Sequence, residues 1–197
     1  MQMAHDPRQQ AAKNFDEALS MKRRFPENPF RGKWDAFHFF DPDLLFESQF
    51  VEKLRLLLSC EPGTSVRLCN IDIAGAGGTF EESSIFLDIE MSGQAYMDHL
   101  RRGGPGSGWV YRMERYGYAS DGGHWCIYCE RANEIAAIAV RWNGSTDRFT
   151  APLRQFDALP IQRAIDKPSS YGLSARGLPE AWRDKMLQAF GSEHEAT

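Results

Sequence analysis

Residues 108–142 read GWVYRMERYGYASDGGHWCIYCERANEIAAIAVRW and form the densest aromatic and β-branched block of the chain. Apolar and polar residues alternate on both sides of a turn-forming run at residues 119–123, which predicts a three-stranded antiparallel meander. Residues 137–140 are apolar at every position, as expected for a central strand covered by helices. The alanines of this last strand allow a helix to approach it closely.

The sequence upstream of the meander predicts two further strands. Residues 65–74 alternate between apolar and polar side chains, and residues 84–91 repeat the pattern after a glycine-rich loop. Alternation at residues 37–39 indicates one more short extended stretch. Helical spacing predicts helices at residues 8–24, 43–58, 93–102 and 178–190. It also predicts a helix at residues 151–165 that is interrupted near Pro160.

Two of these helices carry start signals. Asp6 and Asp41 can each cap a helix whose first residue is a proline. The order of the elements predicts an α+β fold, a mainly antiparallel sheet of about five strands with helices packed on one face and helices at both ends of the chain. We divide the chain into an N-terminal helix and linker (1–33), a single α+β domain (34–191) and a frayed tail (192–197).

Composition places the chain among ordinary globular proteins, since 42% of its residues are apolar and 25% are charged. Its first ten residues lack the apolar core of a secretory signal, and no run approaches the ~18 apolar residues of a membrane span. Four cysteines without framework spacing fit reduced thiols. The sequence therefore predicts a cytoplasmic protein without a membrane partner.

Charge is distributed unevenly along the chain, whose net charge is −4. Basic and acidic residues number seven and four in residues 1–34, three and twelve in residues 35–99, and thirteen and eleven in residues 100–197, giving +3, −9 and +2. An acidic middle segment disfavours nucleic acid as a partner and favours a basic protein through electrostatic steering. The alternative is a surface that only keeps the protein in solution.

Cys126 and Cys129 form a Cys-x-x-Cys motif, which in redox and zinc proteins brings two thiols together. Here the flanking residues predict a strand, in which positions i and i+3 point to opposite faces. The two sulfur atoms are then unable to pair or to share a metal, so we interpret both cysteines as buried structural residues. The sequence predicts neither a metal site nor a cofactor.

Two glycine-rich segments have the composition of ligand-binding loops. Residues 75–78 follow a strand, as a phosphate-binding loop does, but no Lys-Ser or Lys-Thr pair follows and residues 79–82 add negative charge. A flexible connection is the simpler interpretation. Residues 101–108, RRGGPGSG, are either a mobile basic lid over an anionic ligand or a linker.

Acidic side chains near the upstream strands are candidate site residues. Asp88 and Glu90 share one face of a strand, with Asp72 on the neighbouring strand, and such carboxylates can act as acid–base groups or bind a cation. Together with His99 or His124, Asp88 and Glu90 define a small hydrolase-type site beneath the second glycine-rich segment. The alternative is the solvent-facing half of a one-sided sheet.

The meander also predicts a surface rich in tyrosine and arginine, residue types that are frequent at interface hot spots. Strand alternation places one set of its side chains on the face opposite the core, unless helices cover both faces. The candidate partner-binding residues of this surface are Tyr111, Arg112, Glu114, Tyr116, Tyr128 and Glu130.

Residues 125–141, WCIYCERANEIAAIAVR, resemble the hairpins of bacterial immunity proteins that neutralise polymorphic or contact-delivered toxins. The shared features are a small acidic α+β chain and an aromatic strand that a tight turn joins to an apolar strand. The resemblance implies a toxin as the partner, and it carries over no functional residue.

The sequence as a whole predicts a non-catalytic binding protein rather than an enzyme. The leading hypothesis is an immunity protein that occludes a basic toxin through the acidic residues of segment 72–98 and the exposed aromatic residues of the meander. The alternatives are the hydrolase-type enzyme, which requires a pocket that joins its carboxylates and histidine, and a structural subunit of a larger assembly, which requires a large apolar surface patch.

Overall fold

The structure of the chain, a computed structural model, describes residues 6–142, 147–166 and 178–191. Six strands form one sheet: β1 (Ala36–Phe40), β2 (Ser65–Asn70), β3 (Ser84–Asp88), β4 (Arg115–Ser120), β5 (Trp125–Glu130) and β6 (Ile135–Val140). Their spatial order is β1-β6-β5-β4-β2-β3, and neighbouring strands are antiparallel. The predicted α+β class is confirmed, with six strands rather than about five.

Ten α-helical segments lie in the described residues. They are α1 (Pro7–Ala18), α2 (Phe50–Leu58), α3 (Ile71–Gly75), α4 (Phe80–Ser83), α5 (Gly93–Arg101), α6 (Gly104–Ser107), α7 (Trp109–Arg112), α8 (Thr150–Gln155), α9 (Ile161–Asp166) and α10 (Glu180–Phe190). Within this part of the chain, no helix is long and apolar enough to cross a membrane. Four of the ten are single turns, and three of these four, α4, α6 and α7, lie beside the candidate site described below.

The two predicted helix caps are confirmed. The carboxylate of Asp6 accepts the N–H of Arg8 at 3.0 Å, and that of Asp41 accepts the N–H of Asp43 at 2.9 Å. Asp41, however, begins a 3₁₀ turn, Pro42–Phe46, and α2 starts only after it. The continuous helix predicted over residues 43–58 is therefore wrong, and α1 is shorter than predicted.

Strands β4, β5 and β6 form the predicted meander, with Arg115 opposite Glu130 and Trp125 opposite Val140. The additional strand is β1, which pairs with β6 along its whole length. The extended stretch indicated at residues 37–39 is thus a sixth member of the sheet.

The prediction that the first meander strand begins at the start of the quoted block is wrong. Trp109–Arg112 form the helical turn α7, and β4 begins at Arg115. A strand before β4 would have no neighbour, because β5 ends opposite Arg115 and β2 ends opposite Tyr116. The segment therefore satisfies its backbone hydrogen bonds locally.

The strand predicted over residues 65–74 is also shorter, because β2 ends at Asn70 and α3 follows. The side chain of Asn70 accepts hydrogen bonds from the N–H groups of Asp72 and Ile73 at 3.1 and 3.2 Å, which caps the helix. Asp72 therefore lies on a helix rather than on the predicted strand face. The neighbouring strand, β3, ends at Asp88, three residues earlier than predicted.

Helices cover both faces of the sheet, so the prediction of one covered face is wrong. One core contains residues of α2, α5 and α8, and the other contains residues of α1, α9 and α10. Cys129 belongs to the first core and Cys126 to the second, as strand periodicity predicted. Burial raises the pKa of both thiols well above the ordinary value, which fits a structural role.

Helix α1 approaches the sheet closely at a glycine of β4. A Cβ atom on Gly117 would lie 2.5 Å from Leu19 Cδ1 and 3.0 Å from Phe15 Cε2. It would also lie 2.9 Å from the carbonyl oxygen of Ile127. The missing side chain therefore lets the fully buried Phe15 rest directly on the strand.

The C-terminal helices form as predicted where the structure describes them. α8 and α9 lie on either side of Pro160, which interrupts the helix predicted over residues 151–165. α10 buries Met186 and Phe190 on its apolar side. The predicted tail, residues 192–197, lies outside the described residues.

Candidate functional site

The two outer strands of the sheet differ in what lies beside them. Along β1, Phe39 and Leu159 exchange two backbone hydrogen bonds of 2.7 and 2.9 Å, and α9 packs against the strand. Along β3 lies an open groove of about 520 Å³. Its lining residues on this strand are Ser84, Ile85, Phe86 and Asp88. β3 is therefore the edge at which another molecule can reach the sheet.

The register of β2 determines which backbone groups of β3 face the groove. The carbonyl oxygen of Ser65 accepts the N–H of Asp121 at 2.9 Å, so the backbone groups of Ser65 point towards β4. Direction alternates along a strand, so those of Val66 point towards β3, where Leu87 is the partner. The N–H and C=O of Phe86 therefore point into the groove. The backbone groups of Ser84 and Asp88, two positions away on either side, point in the same direction.

A turn fixes the end of β3. The carbonyl oxygen of Asp88 accepts the N–H of Met91, and its carboxylate accepts the N–H of Glu90, both at 3.1 Å. Arg55 of α2 donates to the carbonyl oxygens of Ile89 and Met91 at 2.7 Å each. These bonds tie the turn to α2 and hold Asp88 in place beside the groove.

Elements from both faces of the sheet line the groove, which therefore runs around the outer edge of β3. One wall contains Arg8 of α1 and Glu81 and Glu82 of α4, and the other contains Met91, His99, Arg102, Ser107 and Trp109. Arg102 and Ser107 belong to the glycine-rich segment that the sequence left open as a lid or a linker. In the structure this segment is one wall of the groove.

A buried arginine joins α1 and α4 to β3. The guanidinium group of Arg67 lies 4.8 Å from the ring centre of Phe15 and 4.6 Å from that of Phe80. It donates hydrogen bonds to the carboxylate of Asp16 at 3.1 Å and to the hydroxyl of Ser84 at 3.0 Å. Because this cation is both paired and stacked, it holds the first wall of the groove against the strand.

An aromatic patch lies on the same side of β3. The ring centres of Phe86 and Phe80 are 5.8 Å apart, and the guanidinium group of Arg8 lies 5.9 Å from the centre of the Phe86 ring. Phe80 is 45% exposed, so part of this patch faces solvent. A cationic side chain of a partner can stack on the patch as Arg8 does.

Carboxylates outnumber cations in the groove. Its three carboxylates and two guanidinium groups are Glu81, Glu82, Asp88, Arg8 and Arg102, a net charge of −1 when His99 is neutral. Burial lowers the pKa of His99, and Arg102 lowers it further, whereas Asp98 raises it. Hydrogen bonds from the backbone N–H and the hydroxyl of Thr79 lower the pKa of Glu82. Near pH 7 the groove is therefore weakly acidic.

Five of the predicted partner-binding residues are exposed: Asp88, Glu90, Tyr111, Arg112 and Glu114. Of these five, Asp88 lines the groove, and Glu90 lies in the turn that follows it. Tyr111 and Arg112 lie on α7, which also carries the lining residue Trp109. Arg112 donates to the carbonyl oxygen of Gly106 at 2.6 Å and so ties α7 to the glycine-rich wall.

Three other predicted partner-binding residues are buried, which corrects the sequence prediction. Tyr116 and Tyr128 are fully buried in opposite cores, and Glu130 is 4% exposed. The reason is that helices cover both faces of the meander. Burial raises the pKa of Glu130, although hydrogen bonds from the N–H of Phe25 and the hydroxyl of Tyr128 lower it.

Asp72 is also unavailable as a surface carboxylate. The backbone N–H and the Nε atom of Arg115 donate to its two oxygen atoms at 2.8 and 2.7 Å. This charge-assisted pair connects α3 to the first residue of β4. The carboxylate predicted to face a partner therefore stabilises the junction between two elements instead.

The groove joins two of the four residues predicted for a hydrolase-type site. Asp88 and His99 both line it, whereas Glu90 does not. His124 lies elsewhere, at the turn between β4 and β5, where its backbone N–H donates to the carboxylate of Glu61 at 3.0 Å. The structure therefore separates the two candidate histidines.

Sequence reasoning missed the buried carboxylate at that turn. The Glu61 side chain is fully enclosed, and burial raises its pKa to about 7, although the hydrogen bond from the His124 N–H and the nearby Ser120 and Trp125 side chains lower it. A Cβ atom on Gly122 would lie 2.4 Å from the carboxylate carbon and one of its oxygens. The consecutive glycines of the turn, which suggested only a hairpin, make room for this acid.

We expect Glu61 to make folding stability fall as the pH rises. Its pKa is raised on folding from an ordinary 4.5 to about 7, and Asp121 contributes to the rise. The folded chain therefore binds the proton more tightly, and the associated stability, roughly 3 kcal/mol at most, is present below about pH 4.5 and lost as the pH passes 7. Urea unfolding at both ends of this pH range gives the free energy of unfolding of the wild type and of Glu61→Gln. The loss appears as a change with pH in the difference between these two free energies.

The matched control for this experiment is Glu47→Gln, since Glu47 is an exposed carboxylate. Burial also lowers the pKa of His38 to about 4. His38 is present in all three proteins, so its contribution to the pH dependence cancels when their free energies of unfolding are compared. A difference between wild type and Glu61→Gln that stays constant with pH would contradict the burial of Glu61.

Among the described residues, no group of three or more histidine, cysteine, aspartate or glutamate side chains is placed to hold a metal ion. Comparison of the chain with known protein families, curated proteins and solved structures found no match in any of the three. The groove beside β3 is therefore interpreted from its own geometry and charge.

Proposed function

We propose that this chain is a non-catalytic binding protein whose protein partner docks in the groove beside β3. The observation that carries the proposal is that the outer edge of β3, with which no strand of the described residues pairs, lies in an open groove with aromatic and acidic side chains. Backbone donors and acceptors, the rings of Phe86 and Phe80, and carboxylates on the rim are together on one surface. Such a combination provides affinity and selects for the partner's charge.

The partner that we propose is a basic bacterial toxin, which the chain neutralises by occlusion as an immunity protein. The net charge of −9 in residues 35–99 supports a basic partner, and the exposed residues Glu81, Asp88 and Glu90 lie at or beside the groove. The hairpin at residues 125–141 supports the family through its resemblance. Because that hairpin is buried, the contact surface is assigned to the groove instead.

Co-expression tests this function. We expect a secreted toxin to be encoded directly next to this chain, and we expect cells producing that toxin to grow when this chain is also produced. The control is the same chain carrying Glu81→Lys and Asp88→Lys, which should fold but fail to protect. Continued killing in the presence of the unaltered chain would refute the toxin-neutralising role.

The second candidate is a hydrolase-type enzyme, which the convergence of Asp88 and His99 in one groove favours. The two serines that line the groove argue for binding instead, because each hydroxyl is already engaged. Ser107 donates to the carbonyl oxygen of Gly103 at 3.1 Å, and Ser84 accepts a hydrogen bond from Arg67. Among the described residues, neither hydroxyl is hydrogen-bonded to His99, as that of an activated nucleophile would be.

A further inference from the structure

We infer that the groove holds its partner by strand addition, in which an extended segment of alternating basic and apolar residues pairs with β3 as a seventh strand. The inference rests on the proposed binding function and adds how the partner is held and which sequence it presents. An uncovered edge strand is a template for such pairing, because its outward backbone groups await partners.

The backbone of Phe86 is the central contact. Its N–H and C=O both face the groove, and no loop, turn or helix cap among the described residues bonds to either group. In antiparallel pairing, the peptide residue opposite Phe86 exchanges two hydrogen bonds with it. Ser84 extends the ladder on one side. Asp88 ends it on the other, since its carbonyl oxygen already accepts the N–H of Met91.

The position of the groove matches the path of an added strand. A seventh strand would lie about 4.8 Å from β3, in the plane of the sheet. The groove follows β3 and takes its two walls from elements on opposite faces of the sheet. A peptide there therefore sends alternate side chains to different walls.

The wall on the Phe86 side selects basic residues. A peptide side chain directly opposite Phe86 shares its face with Asp88, which is two positions away on the same strand. Glu81 and Glu82 lie on the same side, where Arg8 is the opposing cation. A lysine or arginine at this position meets a net negative charge and can stack on the Phe86 ring.

The other wall selects apolar residues. The flanking peptide side chains point to the side on which Met91 and Trp109 are half-buried and Ile85 lines the groove. The ionisable groups of this wall are Arg102 and His99, and His99 is neutral near pH 7. A basic residue would gain nothing here, whereas a valine or isoleucine covers apolar surface.

A second copy of this chain fits the same edge less well. Antiparallel pairing of two β3 strands about Phe86 places Ser84 opposite Asp88 of the other copy. It also brings the carboxylates of Glu81, Glu82 and Asp88 of both copies to the same side of the paired sheet. The like charges of the two grooves repel one another, which favours a basic segment of a different protein.

The experiment uses a fluorescent peptide of about seven residues in which lysine and valine alternate, so that one face is basic and the other apolar. We expect it to bind the full chain in a fluorescence anisotropy titration. N-methylation of the central lysine removes an N–H that pairs with β3 and should weaken binding about tenfold. N-methylation of the adjacent valine removes an N–H that points away and should leave binding within about twofold. A peptide with the same residues in two blocks is the pattern control.

The outcomes separate this inference from the proposed function. Equal weakening by the two methylated peptides, equal binding of the block peptide, or no saturation by the parent peptide up to about 1 mM would overturn strand addition. If protection in cells nevertheless depends on Glu81 and Asp88, the groove binds its partner in another way and the proposed function stands. Self-association of the chain that the parent peptide fails to disrupt would assign the edge to a second copy.

A variant of the chain provides the matching test on the protein side. Phe86→Pro removes the outward N–H without removing a hydrogen bond of the sheet, as edge strands tolerate. Phe86→Val keeps that N–H and also removes the ring, so the pair isolates the backbone contact. We expect binding of the parent peptide to be about tenfold weaker for the proline variant than for the valine variant. If the proline variant fails to fold, the comparison of the two methylated peptides still tests whether the peptide backbone pairs with β3.

Discussion

Replacing Gly117 with valine is expected to destabilise the protein by about 3 kcal/mol and to lower its Tm by roughly 10 °C. The added Cβ atom would lie 2.5 Å from Leu19 Cδ1, 3.0 Å from Phe15 Cε2 and 2.9 Å from the carbonyl oxygen of Ile127. The carbonyl oxygen belongs to the central strand β5 and is held by the sheet, so the new side chain cannot be accommodated on that side. It must instead push against Leu19 and Phe15, and helix α1 moves away from β4.

Displacing α1 has a second consequence, because this helix also contributes to the groove. Arg8 lines one wall, and Asp16 pairs with Arg67, the buried arginine that holds α4 against β3. The Gly117→Val variant should therefore lose affinity for the lysine–valine peptide as well as stability. Urea unfolding and the anisotropy titration measure the two effects on the same preparation.

Gly75→Ala is the matched control for this substitution. A Cβ atom at Gly75 meets nothing within 4 Å, and the residue lies at the end of α3. Its free energy of unfolding should change by less than about 0.5 kcal/mol. Equal stability of the Gly117→Val variant and the wild type would mean that α1 does not rest on β4 as described.

Reversing two charges at the groove is expected to weaken binding of the lysine–valine peptide about thirtyfold at low salt. The variant carries Glu81→Lys and Asp88→Lys. Each reversal removes an exposed attraction of about 0.5 kcal/mol and adds a repulsion of similar size, so the two together cost about 2 kcal/mol. Asp88→Lys removes the exposed hydrogen bond from the Glu90 N–H, but the backbone bond to Met91 and the two bonds from Arg55 still hold that turn. Glu82, which completes the capping box of α4, is also left intact, so the fold should survive.

Salt dependence distinguishes this effect from a structural one. Screening shortens the reach of exposed charges as ionic strength rises, so the loss should shrink at high salt. The control variant carries Glu27→Lys and Glu47→Lys, which change the net charge equally at exposed positions outside the groove. If the control variant weakened binding by the same amount, the effect would arise from net charge, and the claim that the peptide binds in the groove would be contradicted.

The meander shows which parts of the fold the sequence predicts. β4, β5 and β6 are joined by short turns, so their alternation and their turn residues are local signals. The residue at which β4 starts is not encoded locally, because it depends on where the neighbouring strands β2 and β5 end. Trp109–Arg112 alternate like a strand but become a helix, since they have no neighbour with which to pair.

Coverage of the second face was missed for a related reason. α1 has few apolar residues, and sequence reasoning therefore left it on the surface. Phe15 is nonetheless fully buried, because Gly117, about one hundred residues away, removes the side chain that would hold the helix off the sheet. Tyr128 and Glu130 are buried on this second face, whereas Tyr116 is buried in the opposite core.

The candidate site was predictable in part. Asp88, identified from strand alternation, and His99, a candidate of the hydrolase-type site, both lie in the groove, but other lining residues come from segments as distant as Arg8 and Trp109. Their convergence depends on β3 being an edge strand, which follows from β2 pairing with both β3 and β4. Sequence alternation gives the face of a residue, whereas the edge of a sheet is a property of the complete strand order.

Amide hydrogen exchange along β3 tests the central claim most directly. In the free chain, the N–H groups of Ile85 and Leu87, which bond to β2, should exchange slowly, and that of Phe86, which faces the groove, should exchange rapidly. Saturation with the lysine–valine peptide should slow the Phe86 amide by about tenfold or more while leaving its two neighbours nearly unchanged. An unchanged exchange rate for Phe86 in the saturated complex would contradict the claim that the partner pairs with the free edge of β3.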